Sequence, residues 1–259
     1  MLVTRTLPAS TDLLALHRLS PRRYPMLLES SAAGSAQGRW DLLLATNGEL
    51  LTLEPDGITR RQDGECVGND FLHALDAQWQ ATGDPGPASP WPFRGGWALY
   101  LGYALAGQIE PVVGLPPYEG GLPIAVALRC PAAVLRDHRS GQCTIIAEPA
   151  YAAMLDAIAQ DGADAGASLP HRTWQPPVSV HEDDPKRFID GVGRILDYLA
   201  AGDVFQVNLS RQWRARFDDV VDPAMLFARL RDHNPAPFAG MFALGGQVIV
   251  SASPERLVC

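Results

Sequence analysis

Only four cysteines occur in the 259-residue chain, Cys66, Cys130, Cys143 and Cys259, with no CxxC pair and no histidine at metal-ligand spacing. Their scarcity excludes a disulfide-stapled secreted module and a zinc ribbon, and fits a reducing compartment. Long apolar runs are missing too. The first twenty residues interrupt their apolar positions with Arg5, Asp12, His17 and Arg18, leaving neither a signal-peptide core nor a spanning helix. A soluble cytoplasmic protein is expected. Positive charge is in deficit: 21 Lys and Arg against 29 Asp and Glu give a formal charge of −8. That field repels phosphate backbones and anionic lipid, which argues against nucleic-acid and membrane partners. No GxGxxG or GxxxxGK[ST] loop follows an apolar strand, so the phosphate cradle of doubly wound nucleotide-binding folds is absent. The six histidines, at 17, 73, 138, 171, 181 and 233, join no Ser or Cys motif and define no triad.

What is present reads as short strands in the first half. Leu42–Leu44, Leu50–Leu53, Gly96–Tyr100, Ala125–Leu128 and Cys143–Ala147 are each bounded by turn residues. A helix is expected over Asp70–Trp79, with Phe71, Leu72, Leu75 and Trp79 on one face, ending before the turn-rich stretch from Thr82. Another is expected over Pro149–Gln160, on the stripe Tyr151, Met154, Leu155 and Ile158. Residues 161–183 then offer Gly, Ala, Ser, Pro and charge, and read as a linker between a region 1–160 and a region 184–259.

The strongest helix signal follows. Asp184 is a good N-cap, Pro185 suits the first turn, and Phe188, Val192, Ile195, Leu196 and Leu199 recur until Gly202. Val204–Ser210 alternates as a strand would, Phe205, Val207 and Leu209 facing one way and Gln206, Asn208 and Ser210 the other. A helix opened by Asp222-Pro223, with Met225, Leu226 and Leu230 on its buried side, should stop at Asn234 because Pro235 disfavours helical geometry before it. Val248–Ser253 is a last strand. Together these signals predict an α+β fold, antiparallel sheets with flanking helices.

Two sets of residues could carry chemistry. The row Gln206, Asn208 and Ser210 offers amides and a hydroxyl either to a polar ligand or to solvent. Glu255, between Pro254 and Arg256 just past a strand, is either an acid or half of a structural ion pair.

Three motifs in order carry a resemblance: Ala201-Gly-Asp-Val-Phe-Gln-Val-Asn-Leu-Ser210, Asn234-Pro-Ala-Pro-Phe238 and Ser253-Pro-Glu-Arg-Leu257. They resemble the chorismate-utilising enzymes, as do Leu27-Leu-Glu-Ser30, Gly38-Arg-Trp40 and Gly95-Gly-Trp-Ala-Leu-Tyr-Leu-Gly-Tyr103 earlier in the chain. The resemblance implies an anthranilate-synthase-like fold, a two-layer β core with flanking helices, incomplete at the C-terminus. Isochorismate and salicylate synthases carry a water-activating lysine where this chain has Gln206. Glutamine cannot act as that base, which implies the amine-adding branch. There, ammonia from a glutamine amidotransferase partner displaces a ring hydroxyl of chorismate with magnesium present. Aminodeoxychorismate synthases commonly read Gln-Val-Asn-Leu and anthranilate synthases Gln-Val-Val-Leu, so Asn208 favours the former.

By the same resemblance Glu255 is the acid that protonates the departing hydroxyl, and Gln206 and Asn208 belong to the substrate pocket. Glu29, Ser30, Pro237 and Phe238 match segments that line a tryptophan pocket in relatives, Phe238 standing where a tyrosine is usual. The family's later motifs, its magnesium-binding glutamates included, would follow Glu255. The chain is therefore expected to lack magnesium ligands and to be an N-terminal part, inactive alone. The rival expectations are an anthranilate-forming enzyme and a truncated, non-catalytic binding module.

Overall fold

In a computed structural model, residues 2–30, 38–82, 89–168 and 174–255 are described. They form two bodies, one within residues 1–170 and 226–259 and the other within 171–225.

The first body runs β1 (Val3–Leu7), α1 (Leu13–Leu19), β2 (Met26–Glu29), β3 (Trp40–Ala45), β4 (Leu50–Leu53), β5 (Thr59–Arg61), β6 (Cys66–Gly68) and α2 (Phe71–Thr82). It continues through β7 (Gly96–Leu101), α3 (Ala106–Ile109), β8 (Ala125–Cys130), β9 (Ala132–Asp137), β10 (Gln142–Ala147) and α4 (Met154–Ser168). The second body holds β11 (Ser179–Glu182), α5 (Pro185–Ala201) and β12 (Trp213–Arg216). After α6 (Pro223–His233), the strands β13 (Phe238–Leu244) and β14 (Gln247–Ser253) rejoin the first.

Every strand pair is antiparallel. Seven strands line up as β1-β10-β9-β3-β2-β13-β14 and five as β6-β5-β4-β8-β7. Leu27 sits opposite both Leu43 and Met241, so the C-terminal hairpin is stitched to a strand more than 200 residues earlier. Gly245 and Gly246, at φ +58° and +84°, supply the left-handed backbone that the two-residue β13–β14 turn requires.

The two sheets bury their facing sides. Ala98, Val126, Leu128 and Cys130 of one pack on Met26, Leu44, Leu135, Ile146 and Phe242 of the other, and the Tyr100 ring stacks on Phe242 at 5.7 Å. All six residues of β8 are buried, because this strand has α2 on one side and the other sheet on its second. The outer face of the seven-stranded sheet carries α1 and α4, with Leu13, Leu16, Leu155 and Ile158 buried. The expected two-layer β core with flanking helices is present. Among the described residues no helix is long and apolar enough to cross a membrane.

Several local expectations are corrected. Val204–Ser210 is not a strand: nothing pairs with it among the described residues, and an extended segment without a hydrogen-bonding neighbour is not sheet. Phe205, expected on its apolar face, is fully exposed. The helix expected over Pro149–Gln160 is a short 3-10 turn, Pro149–Tyr151, followed by α4. On α6 the buried side chains are Ala224 and Phe227, while Leu226 is exposed. The stretch after Thr82, up to residue 88, and the terminal residues from Arg256 lie outside the described residues.

The linker expected over 161–183 is also revised, since α4 continues through Ser168 and β11 forms within it. Asp161 shows why. Its carboxylate accepts the phenol of the buried Tyr24 at 2.6 Å and pairs with the Arg23 guanidinium, fastening α4 to the segment before β2. Those partners lie about 137 residues away, outside any local pattern. Burial, reinforced by the carboxylate, pushes the Tyr24 phenol well above its ordinary range. Asp161→Ala would strand that buried hydroxyl, and a loss of roughly 1–3 kcal/mol is expected in urea unfolding. A loss under ~0.5 kcal/mol, normal for an exposed linker residue, would contradict this.

Candidate functional site

Glu255 stands two residues beyond the end of β14. Its side chain is exposed, and its carbonyl accepts the Ser253 hydroxyl at 3.2 Å, a local turn that sets where the carboxylate leaves the sheet. The neighbouring Arg256, the other half of the alternative ion pair, lies outside the described residues.

Gln206 and Asn208 belong to the second body and are exposed. The alternation read from the sequence survives there in part despite the lack of strand pairing. Val207 and Leu209 line a cleft of about 530 Å³ along α5, with Phe188, Gly191 and Ile195; Ser210 of the polar row lines it too, whereas Gln206 and Asn208 do not. The two amides are thus left outside this seam. Helix α5, whose inner side makes that seam, is capped as expected. Asp184 accepts from the Lys186 amide at 2.9 Å, and Gly202, at φ +80°, turns the chain back so that its N–H reaches the Leu199 carbonyl.

The four residues matched to an amino-acid pocket separate on inspection. Glu29 is largely buried and both its oxygens accept from Arg231 Nη1 of α6, at 3.1 and 3.3 Å. Burial pushes the Glu29 carboxyl up, and Arg231 pulls against it. Ser30 donates its backbone N–H to Asp41 at 3.0 Å, whereas its buried hydroxyl finds no partner among the described residues. Consecutive residues of an extended chain point to opposite faces. Glu29 is in register with Ala239, so the next step brings Ser30 beside Phe238 on the sheet-facing side and leaves Glu29 on the helix side. Pro237 and Phe238 are half-buried at the start of β13.

Sequence reasoning missed three members of this neighbourhood: Arg231, Asp41 and His138, whose Nε2 lies 2.9 Å from the buried Asp41 carboxylate. Asp41 did carry a signal. A carboxylate inside the apolar run Trp40–Ala45 has to be satisfied by hydrogen bonds once buried. Its partners, one a backbone amide and the other a histidine 97 positions later, had no sequence pattern.

Among the described residues no three His, Cys, Asp or Glu side chains gather as a metal site. No step below runs through magnesium.

Residues 27–259 match the model of the chorismate binding enzyme family, so the chain belongs to that family. Anthranilate synthase component 1 of Cereibacter sphaeroides is 29% identical over 95% of this chain and 53% of its own length. Aminodeoxychorismate synthase component 1 of Salmonella typhimurium is 28% identical over 98% of this chain and 56% of its own. In structure, anthranilate synthase component I from Streptococcus pneumoniae TIGR4 superposes with a TM-score of 0.66 at 22% identity, covering 85% of this chain and 51% of the other. The fold is therefore that of the family's synthases. The chain spans about half the length of the curated relatives it matches.

Proposed function

We propose that this chain is the N-terminal part of an aminodeoxychorismate synthase component I, which replaces a ring hydroxyl of chorismate by an amine on the way to p-aminobenzoate and folate. The row Gln206-Val207-Asn208-Leu209 carries the reading. Gln206 offers an amide in place of a water-activating lysine, which favours ammonia as the nucleophile, and Asn208 favours the aminodeoxychorismate product over anthranilate. Relatives of both kinds occur at similar identity, so the discrimination rests on these two exposed amides.

The chemistry is a substitution. Ammonia, supplied by a glutamine amidotransferase partner, forms the new C–N bond as the ring C–O bond breaks. Glu255 gives its proton to the departing hydroxyl, which leaves as water, and the added nitrogen gives up a proton in turn. Loss of hydroxide without that proton would be slow, so a placed carboxyl is the group the step needs most. The test is the product made by the protein carrying its complete second half, with chorismate and ammonium salt. An amine retaining the enolpyruvyl ether is expected. A fluorescent aromatic amine with release of pyruvate would establish the anthranilate reaction instead.

The amino-acid pocket receives mixed support. The Ser30 hydroxyl has no partner among the described residues, but Glu29, the natural anchor for a ligand ammonium, already holds a guanidinium. A ligand would have to displace a largely buried ion pair, whose breakage costs about 3–5 kcal/mol. Titration with tryptophan at millimolar concentration is accordingly expected to give no heat of binding. A saturable heat with a micromolar dissociation constant would restore the pocket.

A further inference from the structure

Between Trp174 and Met225 the second body opens a cleft of about 730 Å³ that the chemistry above does not use, since Gln206, Asn208 and Glu255 are not among its lining residues. Its origin is local. The β11–β12 ladder pairs Ser179 with Arg216, and one further bond follows, the Val178 N–H donating to the Arg216 carbonyl at 2.8 Å. Pro177 and Pro176 stand next on that strand's side, and having no N–H to give they end the ladder, so the two chains part. Trp174 and Phe217, one from each chain, still meet edge to face with ring centroids 5.9 Å apart. Pro177, Val221 and Met225, the last on the first turn of α6, complete the half-buried apolar walls.

The charge on this cleft has one sign: Asp218, Asp219 and Asp222 line it, and no Lys, Arg or His does. Asp222 is engaged, its carboxylate accepting the Ala224 amide at 3.0 Å at the start of α6. Asp218 faces Arg216 at 3.9 Å in an exposed pair that solvent screens. Asp219 has no partner among the described residues. We propose that the cleft binds a small organic cation, an ammonium ion carrying an apolar body. Indole and phenyl rings attract such an ion through their electron-rich faces, the carboxylates add their charge, and the apolar walls cover the body. A bare metal ion is a poorer match, because the three carboxylates do not gather as a metal site. An anion would meet only like charge. The volume falls within the roughly 300–1,000 Å³ typical of small-molecule sites, and every lining residue belongs to the same body. The proposal does not depend on which amine the enzyme makes, so the product assay can fail without affecting it.

The test titrates the 259-residue chain with phenethylamine, an ammonium ion at neutral pH, and with two probes of similar size, the neutral 2-phenylethanol and the anionic 3-phenylpropanoate. Heat of binding is measured, and the Trp174 indole N–H is followed by nuclear magnetic resonance, assigned by its absence in Trp174→Leu. The ammonium should bind saturably and shift that resonance, at least about tenfold more tightly than either other probe and more weakly as salt is raised. Trp174→Leu should abolish the binding. Asp219→Asn should weaken it at least about threefold while leaving the far-ultraviolet spectrum unchanged, and being an exposed position it decides the matter even where Trp174→Leu disturbs the second body. Equal binding of the three probes, no binding at about 10 mM ammonium, saturation that leaves the Trp174 resonance in place, or indifference to Asp219→Asn would each overturn the proposal.

Discussion

Phe71→Ala is expected to lower stability by about 3–5 kcal/mol, the range for deleting a fully buried phenylalanine and leaving a cavity behind it. Phe71 has no exposed surface, and packs in a cluster with Leu51, Leu53, Leu105, Ala125 and Ala127 that closes the outer face of the five-stranded sheet. The loss would also reach the helix start. Asp70 accepts the His73 amide at 2.9 Å and the Gln108 side chain accepts the Phe71 amide at 3.2 Å, so the ring and the first turn of α2 are held by one set of contacts. A cost of this size is a large share of the ~5–15 kcal/mol that separates most folded domains from the unfolded chain. Urea unfolding of the wild type, Phe71→Ala and Leu72→Ala would measure it. Leu72, adjacent on the same helix but 41% exposed, should cost well under half as much. Equal effects at the two positions would show that α2 does not pack as described.

The contrast between those neighbours shows where the sequence is readable. The expected face of α2 grouped Phe71, Leu72, Leu75 and Trp79, but a 12-residue helix on the edge of a small core buries only part of that face. Trp79 remains 45% exposed. Helix α5 was legible at both ends because its caps are local: Asp184, Pro185 and Gly202 act within a turn of their own positions. Strand pairing is the opposite case. Strand β13 was not anticipated as a strand, and its register against β2 depends on residues some 200 positions apart. Residues 204–210 have strand-like alternation but no strand to pair with among the described residues, and Asp161 sits among glycines and alanines yet anchors Tyr24. Of the candidate site, Gln206, Asn208 and Glu255 were recognisable as motif residues. The Glu29–Arg231 pair and the Asp41–His138 contact were not, because each joins elements that meet only after the sheet has formed.

Glu255→Gln carries the largest expected effect on activity. In the protein bearing its complete second half, kcat should fall by about 10²–10⁴-fold, the usual contribution of a positioned general acid, equivalent to roughly 3–5 kcal/mol of transition-state stabilisation. KM for chorismate should change little, because glutamine keeps the shape and an oxygen acceptor and loses only the transferable proton. The position is well suited to separate catalysis from folding. Glu255 is exposed, and its one described contact runs through its backbone carbonyl, which the substitution leaves in place. Stability should therefore stay within about 0.5 kcal/mol of wild type, as for other surface changes. A structural ion pair with Arg256 would behave differently: Arg256→Gln would then depress activity and stability as much as Glu255→Gln does. Glu255→Asp adds a third point, since an acid one methylene too short retains the proton but not its reach, and activity between the wild type and the glutamine variant is expected. Near-normal turnover by Glu255→Gln would remove this residue from the reaction and return it to the surface of the sheet end on which it stands.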